Sequence, residues 1–445
     1  MLQSQSFQPV AYGLYLAVCS ILIYFVGTIV YNGFFHPLRN IPGPRLWAVC
    51  RIPYTCMYLS GSAHKHVLDL HKLYGDIVRL APEIVSINHP DAMKELRGHR
   101  KAGVPENGKD PIHSGANLQN IIGANRNDHA RFRRLMSNGF SAQAMFEQQP
   151  IIRKYIDQLF ERLHAEALQG TKPVDMVSWY NFTTFDIIGD LAFGESFGCL
   201  ETSTYHPWIE LIFGSIKYLA FAINLDRYPL ITPALKLFIP RKLRTKMMEH
   251  SQLSELKVRR RLESKVDRPD FIAKITQEQK GRSISMSFKE LVSNTSTLII
   301  AGSETTATLL SAVTYFLATN THVLTALNKE VRSSFLSEEE IDLVSTQKLP
   351  YMQAVLNEAL RLFPPVPAAS PRRIAEGGDN ICGHFLPGGT VVEIWQWSLY
   401  HQPAFFQSPD EFIPERWLQG QQFASDRLDA VQPFSVGPRN CIGRK

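Results

Sequence analysis

Pro433-Phe434-Ser435-Val436-Gly437-Pro438-Arg439-Asn440-Cys441-Ile442-Gly443 sets one cysteine in a short loop, with glycines on either side for backbone freedom, an aromatic at Phe434 and a cation at Arg439. A thiolate presented in this way suits the axial position of a haem iron, where sulfur pushes electron density onto the metal and favours O–O cleavage. A lone cysteine in a tight turn also reads as a buried, inert thiol. What separates the two is the spacing F-x-x-G-x-R-x-C-x-G, too long a pattern to arise cheaply by chance.

Three further stretches bear on that choice. Phe288 to Leu317 is the longest helical pattern in the chain. Its middle, Ala301-Gly302-Ser303-Glu304-Thr305-Thr306, puts glycine and threonine where helices disfavour them. Thr305 can bond back to the carbonyl of Ala301 and open the helix beside a carboxylate, an arrangement able to relay protons. It can equally be a polar patch in a core helix. Asp128 to Met136 predicts another helix, with His129 and Arg133 on one face. That face is either solvated or a donor set for buried carboxylates. Glu358 and Arg361 stand one helical turn apart, followed by Pro414-Glu415-Arg416-Trp417. Alone, such a pair is an exposed contact of little weight.

Taken together, these motifs resemble those of the cytochrome P450 family, and the resemblance covers nearly the whole chain. It implies a mainly α fold with small β-sheets (α+β), with thiolate-ligated haem as cofactor, Cys441 as the iron ligand and O₂ as co-substrate. Ala301, Gly302, Phe434 and Arg439 then belong to the cofactor pocket, with His129, Arg133 and Arg372 as propionate donors. Arg373 beside Arg372 leaves that last choice open. Thr305 and Glu304 become the catalytic proton pair, and Glu358, Arg361 and Arg416 a buried structural network. Val366 to Ser370 should line the pocket. In the family a helix and a last hairpin follow the cysteine, whereas this sequence ends at Lys445. The expected domain is therefore incomplete at its C-terminal end, and a non-catalytic remnant that does not hold haem is the main alternative.

From Val10 to Tyr31 run about 22 uncharged residues, a helix of roughly 33 Å able to cross a bilayer. Residues 1–35 are read as an anchor, 36–50 as a proline-rich hinge in which His36 to Pro44 should form a stiff extended turn, and 51–445 as the haem-thiolate domain. No charged n-region marks a signal peptide. Arg39, Arg45 and Arg51 follow the span, so the positive-inside rule places the domain in the cytosol. The expectation is a single-pass protein of the endoplasmic reticulum, with the sequons at Asn181 and Asn294 unused. Ile77 to Leu80 and Ile84 to Ile87 predict a β-hairpin, Pro90 to Arg97 a helix, and Ala102 to Asn127 a loop.

With 445 residues, 44% of them hydrophobic, and no linker-like or repetitive run, one large domain fits better than the three that length alone allows. A net charge of +6 suits anionic lipid and is too modest for nucleic acid. Six scattered cysteines without CxxC fit a reducing compartment. No G-x-G-x-x-G unit is present, so NADPH should act only through a reductase partner in the membrane. The apolar run from Trp208 to Phe238 is core or membrane-facing surface, and in the family it roofs a pocket for an apolar substrate. The basic stretch Arg241 to Arg261 reads as a solvated helix face. Gly194-Glu195-Ser196-Phe197-Gly198 matches the G-x-S-x-G elbow of α/β-hydrolases, in which Ser196 would be the nucleophile, but the flanking pattern is helical where a strand is required. A haem-thiolate isomerase or peroxygenase is a further alternative. The resemblance is strongest to fungal secondary-metabolite hydroxylases acting on terpenoids or polyketides.

Overall fold

The structure, a computed structural model, describes residues 7–101, 103–114, 119–229, 232–233, 241–279, 284–418 and 420–444. Helix α1 (Phe7–Val30) continues through a wider turn at Tyr31–Phe35. Within it Tyr15–Phe35 is long and apolar enough to cross a membrane, 6% of it buried against the rest of the chain. His36 to Pro44 turns, and a short helix, Arg45–Val49, follows. Gly43 packs so closely on the first strand that a Cβ would stand 2.6 Å from the Arg79 carbonyl oxygen. The Pro42 carbonyl accepts from the Arg79 amide (2.7 Å), which fastens hinge to sheet.

β1 (Ile77–Ala81) and β2 (Ile84–Ile87) form the expected antiparallel hairpin, Ile77 opposite Ile87. All nine of their residues are buried. α2 (Ala92–Arg97) follows. The stretch read as a loop from 102 to 127 contains β3 (Gly108–Lys109) and a short helix at Pro111–Ser114. Two residues are too few for a period-2 pattern to register. Later in the chain come β4 (Ala369–Arg373), a separate hairpin of β5 (Asp379–Ile381) and β6 (His384–Leu386), and β7 (Val391–Ile394). The main sheet has the order β1-β2-β7-β4-β3, β2 and β7 parallel and the other pairs antiparallel.

The helical part is built around α5 (Met176–Phe193) and α8 (Phe288–Thr319), with α3 (Arg126–Met136), α4 (Ala142–Glu166), α6 (Pro207–Asp226) and α7 (Arg241–Glu263) about them. α8 begins at a capping box in which Ser287 and Glu290 satisfy each other's backbone amides. It stays helical through the Gly-Thr stretch. A Cβ on Gly302 would meet Ile188 of α5 at 2.7 Å, so the missing side chain lets the two helices approach. Tyr180 and Thr314 join the same pair at 2.7 Å. The largest core, including Phe132, Trp179, Phe185, Trp208 and Ile299, fills this region. Asn181 and Asn294 are both buried in it, out of reach of glycosylation. Of the apolar run to Phe238, residues 230–231 and 234–240 lie outside the described residues.

Candidate functional site

α9 (Pro350–Leu362) supplies Glu358 and Arg361, both without solvent exposure, and the turn at Pro414–Trp417 supplies Arg416. The Glu358 carboxylate accepts from Arg361 Nε (3.0 Å) and Nη2 (2.8 Å), Arg416 Nε (3.0 Å), the Ile413 amide (3.1 Å) and Trp417 Nε1 (2.9 Å). Arg361 spends its remaining donors on the carbonyls of Tyr400, Pro409 and Glu411, and Arg416 also pairs with Asp426. Trp417 and Asp426 are members that the sequence motif did not disclose. The network ties α9 to the segment leading into the cysteine loop.

That loop is closed by the Cys441 amide donating to the Phe434 carbonyl (2.8 Å) and by Asn440 to Gly437 (3.1 Å). Gly437 has φ +78°, and a Cβ there would stand 2.0 Å from the Arg97 carbonyl oxygen. Only glycine meets both conditions. From the other side, Arg133 grips Asn440 with its whole fork, Nη1 on the carbonyl and Nη2 on Oδ1, both at 2.5 Å. Ile442 packs on the helical core. The cysteine side chain is thereby held exposed between two fixed neighbours.

Beside the loop lies a cavity of about 450 Å³ lined by His129, Arg133, Arg372, Arg439, Arg97 and Glu106, among others. α3 brings His129 and Arg133 there because Asn125 caps it, accepting from the Asp128 amide. Arg439 donates to the Ala124 carbonyl and to Glu106, each at 2.9 Å. Arg372 is buried, with Nη1 lacking a partner, while Arg373 is committed to Asp110 at 2.8 Å. Burial, with Arg439 close by, lowers the Arg372 guanidinium to about 10. Burial and the surrounding cations Arg439, Lys109 and Arg133 hold His129 neutral, near 3.

Two cations, Arg97 in the cavity lining and Lys109 next to Arg372, carry no sequence motif. Arg97, at the end of α2, donates to the Ser370 carbonyl and to Ser435 Oγ, and is lowered by burial and by Arg372. Lys109 of β3 is lowered to about 7 by burial, then by Arg439, Arg372 and Arg97. Its strand partner across the ladder is Arg372. Like charges placed directly opposite are unfavourable unless an anion offsets them, and Glu106 is the one carboxylate lining the cavity. The residues therefore fit a group with two carboxylates, and with the exposed thiol of Cys441 nearby they fit haem. Charge counted along the chain finds neither cation, because 97 and 109 meet Arg372 only through the sheet.

Ala301, Gly302, Glu304 and Thr305 do not line this cavity; they stand on α8. Thr305 Oγ1 donates to the Ala301 carbonyl at 2.7 Å, as its position predicts. Burial raises the Glu304 carboxyl, whose Oε1 is enclosed and without a partner. Gly302 faces Ile188. Ser196 lies just beyond the C-terminal end of α5, its Oγ accepting from the Gly198 amide. A helix precedes it where the hydrolase elbow needs a strand, so that reading fails.

The sequence profile of the cytochrome P450 family matches residues 41–445. Trichothecene C-15 hydroxylase of Fusarium sporotrichioides is 57% identical over 423 residues, 95% of this chain and 86% of that protein. Averantin hydroxylase of Dothistroma septosporum is 44% identical over 429 residues, 96% of this chain and 80% of that protein.

Proposed function

Because the chain belongs to the cytochrome P450 family, whose monooxygenases use thiolate-ligated haem and O₂, we propose that it hydroxylates a trichothecene. Cys441 is the iron ligand in this reading, and electrons come from NADPH through a separate membrane reductase. The observation that carries it is the Cys441 loop, pinned by Arg133 and Gly437 beside a cavity rich in buried cations. The substrate class is supported by the 57% identity to a trichothecene hydroxylase.

Haem, when bound, supplies the activation of O₂. Arg372, Arg97 and Arg439, which line the cavity, would hold its carboxylates, and Arg133 holds the loop that presents the sulfur. On α8, Thr305 Oγ1 gives its proton to the Ala301 carbonyl and keeps its lone pairs free to orient a water. Glu304 Oε1 is the atom placed to take up and release a proton, burial having raised its pKa. The apolar span at Tyr15–Phe35 anchors the chain in the endoplasmic reticulum, and Arg39, Arg45 and Arg51 keep the domain in the cytosol.

The test is reconstitution in vesicles with haem, a reductase and NADPH, presenting a trichothecene that lacks the C-15 hydroxyl. A product carrying one added oxygen supports the reading. NADPH consumption without oxygenated product from trichothecenes refutes the substrate class.

A further inference from the structure

Lys109, the last residue of β3, and Asp110, which follows it, have different partners. Side chains alternate along a strand. Lys109 stands opposite Arg372, which lines the cavity, and its Nζ donates to the carbonyls of Ile121 (3.3 Å) and Ile122, while Asp110, wholly buried, accepts from Arg227 Nη2 at Oδ2 (2.9 Å) and from Arg373 Nη2 at Oδ1 (2.8 Å). Arg227 is the residue at which α6 ends, and it is 3% exposed. Around it the docking continues. Its carbonyl accepts from Arg51, which pairs with Glu83 of the β1–β2 turn at 2.5 Å, and Tyr228 meets Thr55 at 2.8 Å. Asp110 is nevertheless the one carboxylate within 3 Å of the Arg227 guanidinium among the described residues, the Glu83 contact being 3.9 Å.

β3 is itself weakly founded. It is two residues long, with Gly108 opposite Arg373 and Lys109 opposite Arg372. The second pair sets two cations, half-buried Lys109 and buried Arg372, against each other across the ladder. His113, on the helix that follows Asp110, is lowered to about 4 by burial and by Arg227, with Arg97 and Lys109 also acting on it. The cavity and the α6 docking site thus share one electrostatic neighbourhood.

We propose that β3 couples haem loading to the docking of the C-terminal end of α6. Carboxylates arriving at the cavity offset the Lys109–Arg372 repulsion, hold β3 on β4 and so present Asp110 to Arg227. Coupling of this kind is reciprocal, so loosening Arg227 speeds the loss of haem from a cavity it does not line. The inference rests on the reading that the cavity takes haem.

Hydrogen exchange on the wild-type chain, with and without haem, tests it first. Amides 222–229 exchange about tenfold more slowly with haem, and Lys109→Gln shrinks that difference. Haem transfer to a scavenger protein tests the reverse direction: Arg227→Gln accelerates it about fivefold or more. Arg261→Gln, which breaks an equally buried pair with Asp270 (2.6 Å) away from β3, stays within about twofold of wild type. Haem uptake with unchanged exchange at 222–229, or equal acceleration by both arginine variants, overturns the coupling. No haem uptake overturns the functional reading, and the coupling with it.

Discussion

Replacing Glu358 by alanine removes the acceptor of five hydrogen bonds at once. Arg416 keeps Asp426 as a counter-charge, but Arg361, fully buried, keeps only carbonyl oxygens. Removing one partner of a buried ion pair costs about 3–5 kcal/mol, because the other charge stays behind uncompensated. The orphaned Trp417 and Ile413 donors act in the same direction, about 1–3 kcal/mol each where they remain dry. These terms overlap, so the expectation is a loss of at least about 3 kcal/mol, a large share of the roughly 5–15 kcal/mol that holds a domain together. It corresponds to about two decades in the folding equilibrium. Urea unfolding of the detergent-solubilised, haem-loaded protein measures it, with haem content as a second readout. Glu415→Ala is the control, since that carboxylate meets only the Tyr351 hydroxyl (2.7 Å) at the surface and its loss costs under about 1 kcal/mol. A Glu358→Ala protein within about 1 kcal/mol of wild type would refute the reasoning.

Cys441→Ser abolishes the red-shifted Soret band of the reduced, carbon monoxide-saturated protein, and its persistence would assign the iron to another ligand. Arg372→Ala speeds haem release at least tenfold while Arg373→Ala, whose side chain is bound to Asp110, does so much less; equal effects on a scavenger assay would remove Arg372 from its assigned place. Lys109 makes haem affinity pH-dependent: bound carboxylates raise its pKa from about 7, so its contribution is complete below pH 7 and fades as pH rises through the haem-bound value. Titrating affinity from pH 6 to 10 shows the decline, and Lys109→Gln flattens it. Thr305→Ala leaves NADPH consumption running but lowers the share ending in product, which simultaneous measurement of both would reveal.

The elements with a repeating pattern were legible. The β1–β2 hairpin, α8 and the α3 helix stand where the alternation and the helical spacing put them, and the Thr305 back-bond follows from a four-residue offset. What escaped depended on contacts distant in sequence. Trp417 joins Glu358 across 59 residues, and Arg133 reaches Asn440 across 307. Expected as a carboxylate donor, Arg133 spends both ends of its fork on the cysteine loop. Gly302 is also constrained by the volume of Ile188 on another helix, where a Cβ would stand 2.7 Å away. A motif fixes the type of residue; the neighbour that makes the type necessary comes from the fold.

The cations in the cavity lining, with Lys109 opposite Arg372, carry this further. Arg97, Lys109 and Arg372 come from three separate elements, and each is lowered first by burial. Concentrating such charges with Glu106 as the lone lining carboxylate costs folding free energy that packing around them must offset. The same repulsion becomes affinity when carboxylates arrive, since whatever relieves it in the loaded state is missing before loading. Substituting Lys109 by glutamine should therefore stabilise the haem-free chain and weaken haem binding together. A variant that shifted both in the same direction would show that the charge excess is incidental to the site.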